Sequence, residues 1–121
     1  MKPDLVPYAL VAAGGFVGAV LRFWTGELIP SLAGTLIVNF SGSVLMGIFM
    51  YESIYIGAFD RRTRIFFATG VIGAFTTFSA LAVGSFQAGP VTGMAYLLIS
   101  ILLGLAGILA GRYLISYQRG I

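Results

Sequence analysis

Few side chains in this sequence could handle an ion, and all of them lie in otherwise apolar surroundings. Asn39 sits in the middle of the uncharged stretch 28–51. It belongs to a polar stripe, Thr35, Asn39 and Ser43, at the i, i+4, i+8 spacing that puts residues on one helix face. An amide in hydrocarbon must find partners or cost several kcal/mol. Two outcomes fit: a hydrogen bond between helices, or a polar wall of a pore. Further on, Gly73-Ala74-Phe75-Thr76-Thr77-Phe78-Ser79 places a glycine before two β-branched hydroxyl residues, halfway along a third apolar stretch. That pattern fits a broken helix, tolerated at mid-membrane where a cation or other partner takes the freed carbonyls. It fits equally a kinked helix whose threonines bond back to the preceding turn. Tyr96 and Ser100 are one turn apart on a fourth stretch, ahead of Gly104. Such hydroxyls replace water around an ion or serve as helix glue. Phe75 and Phe78 add aromatic rings that either face lipid and fill the core, as membrane aromatics usually do, or turn their partly positive edges to a pore, favouring an anion without a full cation.

What is missing narrows the chemistry. Histidine and cysteine are both absent, which removes the commonest general base, the thiolate nucleophile and most transition-metal sites. We therefore expect no enzyme. Asp4, Glu27, Glu52 and Asp60 all fall at span ends or in loops. A proton-coupled exporter needs a titrating group at depth, and cation channels favour acidic rings. Neither can be drawn here. Arg22, at the end of the first stretch, either raises the potential of a vestibule or anchors the span by snorkelling.

The elements that must position these residues are helices in a bilayer. Hydrophobic residues make up 59% of the 121-residue chain and charged ones 9%, against about 25% charge in a soluble domain. One domain is expected. Charges punctuate the apolar runs, and Gln87-Ala88-Gly89-Pro90 divides a stretch too long for one crossing of about 30 Å. Four transmembrane spans follow, at about 5–25, 32–53, 64–86 and 91–115. Trp24, Tyr51, Tyr55, Tyr113 and Tyr117 fall near their ends, where amphipathic rings favour the headgroup level. Seventeen glycines, many spaced as Gly14/Gly18, Gly42/Ser43/Gly47 and Gly104/Gly107/Gly111, let backbones approach closely in lipid. Such packing leaves little room for a large substrate cavity in one subunit. Nothing resembles a basic stripe for nucleic acid.

Three segments carry a resemblance to a known family. Residues 14–23 (Gly-Gly-Phe-Val-Gly-Ala-Val-Leu-Arg-Phe), 34–42 (Gly-Thr-Leu-Ile-Val-Asn-Phe-Ser-Gly) and 73–79, in that order, resemble the fluoride channels of the Fluc (CrcB) family over nearly the whole chain. The resemblance implies a passive channel in the cell membrane that exports cytoplasmic fluoride. It implies an all-α fold with the third helix broken, and an antiparallel, dual-topology homodimer with a structural sodium ion at its centre. The carbonyls of Gly73 and Thr76 would hold the sodium. Asn39, Phe78, Thr77, Ser79, Tyr96 and Ser100 would line the fluoride path, with Arg22 at its vestibule. Two positions depart from the family pattern: Leu81 stands where a second pore phenylalanine is usual, and Gly104 where the track has a third hydroxyl. The charge distribution departs as well. Lys2, Arg61, Arg62, Arg64, Arg112 and Arg119 lie towards one side of the four spans and Arg22 towards the other. The positive-inside rule then favours one orientation, so the partner is either a second copy or an oppositely oriented paralogue.

Overall fold

The computed structural model describes residues 2–120, and these are all-helical. Four helical stretches are long and apolar enough to cross a membrane: Val6–Leu28, Leu32–Ile56, Arg61–Gln87 and Pro90–Arg119. We number the helices α1 (Val6–Leu28), α2 (Leu32–Ile56), α3 (61–75), α4 (Ser79–Gln87) and α5 (Pro90–Arg119). The third crossing is therefore two helices with a break between them.

Local chemistry sets the ends. Proline opens α1 and α5, where its missing N–H costs nothing. Asp4 Oδ1 accepts from Val6 N at 3.1 Å at the head of α1. Asp60 caps α3 by accepting from Thr63 N at 2.9 Å. The α4–α5 turn runs through Gly89 at φ 93°, a left-handed value that suits glycine. Two segments wind more widely than an α-helix: Glu52–Ile56 at the end of α2 and Ile65–Ile72 inside α3. Such π-type winding is rare and often marks a functional region.

The helices pack in two main couples, α1 against α3 and α2 against α5, and α4 also packs on α5. Close approach is the reason for the glycines. A Cβ on Gly18 would strike the Val71 carbonyl, and one on Gly14 the Phe66 carbonyl. Gly47 and Gly111 meet the backbones of Ile108 and Val44 in the same way. Backbone against backbone replaces the hydrophobic drive that lipid does not supply. Large side chains such as Phe16, Phe86 and Leu102 point outward instead.

The observed helices differ from the expected spans mainly at their ends. The first helix runs past Arg22 to Leu28 where the sequence predicts an end near 25, and α5 extends to Arg119 where it predicts an end near 115. A single arginine does not stop a helix, because its propensity is high and its long stem can reach a polar partner.

Candidate functional site

The break between α3 and α4 is the centre of the site. Thr76 leaves the helical region (φ −75°, ψ 159°). In an unbroken helix Thr77 N–H would bond the Gly73 carbonyl. Here it donates to Asn39 Oδ1 at 2.8 Å, while Asn39 Nδ2 donates to the Thr77 carbonyl at 2.8 Å. One amide side chain from α2 thus replaces two backbone partners that the break removes. The hydroxyls complete the arrangement. Thr76 Oγ1 donates back to Ile72 O at 3.2 Å, finishing α3. Thr77 Oγ1 accepts from Ala80 N at 3.2 Å, capping α4, and lies 3.3 Å from Ser79 Oγ.

Arg22 reaches the same place from α1, with Nη1 at 3.5 Å from the Thr76 carbonyl. Its side chain lines an open cavity of about 570 Å³ together with Thr35, Thr77 and Ser79, while Glu27 and Ser31 are further lining residues. A second cavity of about 340 Å³ is lined by Asn39, Ser43, Thr76, Thr77, Phe78, Leu81, Ser100 and Gly104. Thr77 faces both. The first cavity carries Arg22 as its one cation, and the second has no charged lining residue.

Most of the residues singled out in the sequence therefore converge. Phe78 is 76% exposed, so its ring is available rather than packed away. Leu81, three residues on, is buried among the helices, as are Tyr96 and Ser100. Tyr96 lines neither cavity: its hydroxyl donates to the Leu32 carbonyl at 3.3 Å. Ser100 lines the second cavity, and its hydroxyl donates to Tyr96 O at 2.7 Å. Gly104 is open enough there that a Cβ would sit 3.6 Å from Ser43 Oγ, an ordinary contact. Ser43 belongs beside these residues, and its i+4 spacing from Asn39 was the signal for it.

The break also bears on the metal question. Among the described residues no group of three or more His, Cys, Asp or Glu could hold a metal ion. A cation at the break would rest on backbone oxygens, hard donors that suit sodium. Gly73 O has lost its Thr77 N–H, and Thr76 O has only the long contact from Arg22. Both oxygens fit that role, but two are too few to replace a cation's water shell.

The model of the CrcB-like protein, Camphor Resistance (CrcB) family matches residues 9–112. A protein of Methanospirillum hungatei named fluoride-specific ion channel FluC 1 is 50% identical over 92% of this chain and 79% of its own length. One of Methanosarcina barkeri named fluoride-specific ion channel FluC 2 is 41% identical over 97% of this chain and 93% of its own. A third, fluoride-specific ion channel FluC 1 of Haloarcula marismortui, is 41% identical over 92% of this chain and 87% of its own. With a match over most of the chain and four helices able to span a bilayer, this multi-pass membrane protein belongs to the CrcB family.

Proposed function

We propose that the chain is one protomer of a passive, fluoride-selective channel that releases cytoplasmic fluoride across the cell membrane. The observation that carries this reading is a pair of cavities that share Thr77 in their linings, the outer one lined by Arg22 and Glu27 and the inner one by no charged residue. The relatives' names supply the identity of the ion.

Fluoride is small and strongly hydrated, so a path through hydrocarbon must return hydrogen-bond donors. Arg22 shares the outer cavity with Glu27 and brings guanidinium donors to an anion beside the Thr76 carbonyl. Past it, Thr77 and Ser79 offer hydroxyls, and Asn39 retains one amide N–H beyond the one spent on Thr77. The exposed Phe78 ring offers its positive edge. Ser100 contributes by turning its hydroxyl from the Tyr96 carbonyl to the ion, and Tyr96 fixes the start of α5 against α2. Leu81 supplies an apolar wall. No full cation lies in the inner cavity, so the ion is not held too tightly to leave.

The working unit is an antiparallel dimer with sodium at its centre. Two oxygens per chain, Gly73 O and Thr76 O, call for a second copy of the break to complete a cation site. Arg22 must then yield the Thr76 carbonyl to the ion. Whether the second chain is identical depends on orientation, and the concentration of arginines on one face favours a partner inserted the other way round. Cysteine at Ala58, an exposed loop position, reads this out. One-sided labelling of about half the molecules would indicate a homodimer of dual topology. Labelling of all or none would assign one orientation and call for a different partner.

The channel reading is tested with purified protein in liposomes loaded with potassium fluoride and potassium chloride, with a potassium ionophore balancing charge, following fluoride release with an ion-selective electrode and chloride release in parallel. Fluoride release without chloride release is expected. Equal release of both ions, or of neither, rejects it.

A further inference from the structure

The face of the molecule that carries the α2–α3 connection and the end of α5 holds more positive charge than its own acids can balance. Its cations are Lys2, Arg61, Arg62, Arg64, Arg112 and Arg119, and its carboxylates are Asp4, Glu52 and Asp60. Each carboxylate already has a partner. Asp4 accepts from Val6 N, Asp60 from Thr63 N, and Glu52 forms the one ion pair among the described residues, with Arg119 at 2.8 Å. Arg61, Arg62, Arg64 and Arg112 are exposed and have no carboxylate within ion-pair distance.

Three of these arginines occupy the first turn of α3. That is the wrong end of a helix for cations, because the N-terminus already carries partial positive charge. Asp60 offsets this only in part, since it is one carboxylate against three guanidinium groups. The turn therefore presents three guanidinium groups and a helix end of the same sign, all needing an anion. Its depth is fixed by the neighbouring aromatics. Tyr51 and Tyr55 stand 4.8 Å apart at the end of α2, Tyr113 and Tyr117 are stacked at 6.1 Å on α5, and the Arg112 guanidinium lies 5.9 Å over the Tyr51 ring. Tyrosines so placed mark the headgroup level, where the abundant anion is a lipid phosphodiester.

We propose that this face binds anionic phospholipid, with Arg61, Arg62 and Arg64 as the phosphate-binding groups and Arg112, over the Tyr51 ring, adding positive charge to the same face. Guanidinium groups suit phosphate through paired N–H donors, and juxtamembrane clusters of this size attract anionic lipid electrostatically. The proposal does not rest on fluoride conduction and is read without it.

The test is thermal unfolding of the detergent-solubilised full chain, titrated with phosphatidylglycerol, with phosphatidylcholine of the same acyl chains, or with inorganic phosphate. Phosphatidylglycerol is expected to raise the midpoint in a concentration-dependent way, and the rise is expected to shrink as salt is increased. The variant R61Q/R62Q/R64Q should lose that rise, and R61K/R62K/R64K should keep part of it. An equal rise with phosphatidylcholine would show general lipid solvation and overturn the proposal. An equal rise with inorganic phosphate would make this a free-anion site and also overturn it. A rise indifferent to salt in the unmodified protein, which needs no variant to fold, counts against it as well.

Discussion

Replacing Asn39 by leucine, which has nearly the same shape, tests whether the amide holds the broken helix in place. The substitution removes two hydrogen bonds of 2.8 Å and strands the Thr77 N–H and carbonyl in partly buried surroundings. An unpartnered buried backbone group costs about 1–3 kcal/mol. Measured side-chain bonds between membrane helices average nearer 0.6 kcal/mol, because the unfolded state in the membrane finds partners too. The expected loss for the pair is about 2 kcal/mol, roughly a 30-fold shift in the folding equilibrium. Denaturant titration in detergent micelles measures it, and fluoride release from liposomes reads the consequence for the path. Both should fall together, because the same bonds set the positions of Thr77 and Phe78. Asn39→Leu protein with unchanged stability and unchanged release would refute the reasoning: the break would then be held by something other than Asn39.

Other positions give sharper contrasts. Gly18→Ala puts a methyl into the Val71 carbonyl and should cost about 1–3 kcal/mol as an overpacking change, whereas Gly15→Ala meets open space and should leave the unfolding midpoint unchanged. Phe78→Ile should reduce fluoride release while leaving stability nearly intact, because the ring is 76% exposed in the isolated chain; equal loss of both in the monomer would assign it to packing. Leu81→Phe enlarges a side chain that is only 6% exposed but borders the second cavity, so the ring has room on that side and should cost less than an overpacking change of about 1–3 kcal/mol; a larger drop in the unfolding midpoint would show that the cavity does not accept it. Hydrogen bonds from the Thr63 side chain and backbone, helped by Arg62 and Arg64, hold the Asp60 carboxyl below its ordinary range. A depressed folded-state value means that its contribution is present above the unfolded carboxylate range and is lost as pH falls through the folded value. Protection of the amides at the start of α3, taken relative to their intrinsic exchange at each pH, should therefore fall at strongly acid pH, and Asp60→Asn should flatten that dependence.

Much of this arrangement was legible in the sequence because the bilayer imposes simple rules. Charges mark the ends of apolar runs, Pro90 marks a helix start, and Gly73 with Thr76 and Thr77 marks a weak point in the third crossing. The resolution of that weak point was not legible. Asn39 could equally have bonded a neighbouring helix or lined a pore, and it is 38 residues from the backbone it bonds. Periodicity gives the face of a helix, not which backbone group will stand opposite. The reach of Arg22 to Thr76 was hidden for the same reason, since it depends on Gly14 and Gly18 drawing α1 against α3. The π-type winding of Ile65–Ile72 left no signal in an apolar segment that satisfies either winding equally well. Tyr96 shows the limit of reading a helix face. Its spacing puts it on one face with Ser100, but which backbone group its long side chain reaches, here the Leu32 carbonyl 64 residues away, is not a matter of spacing.

The central claim is passive conduction of fluoride as a charged ion, and electrical coupling tests it most directly. Liposomes holding the purified protein are loaded with potassium fluoride and placed in a medium free of both ions. A channel that carries F⁻ alone builds up a potential that stops further release. Fluoride should then leave rapidly only when a potassium ionophore is added to balance charge. Rapid release without the ionophore, as an electroneutral exchanger or a carrier of the neutral acid would give, would contradict the account.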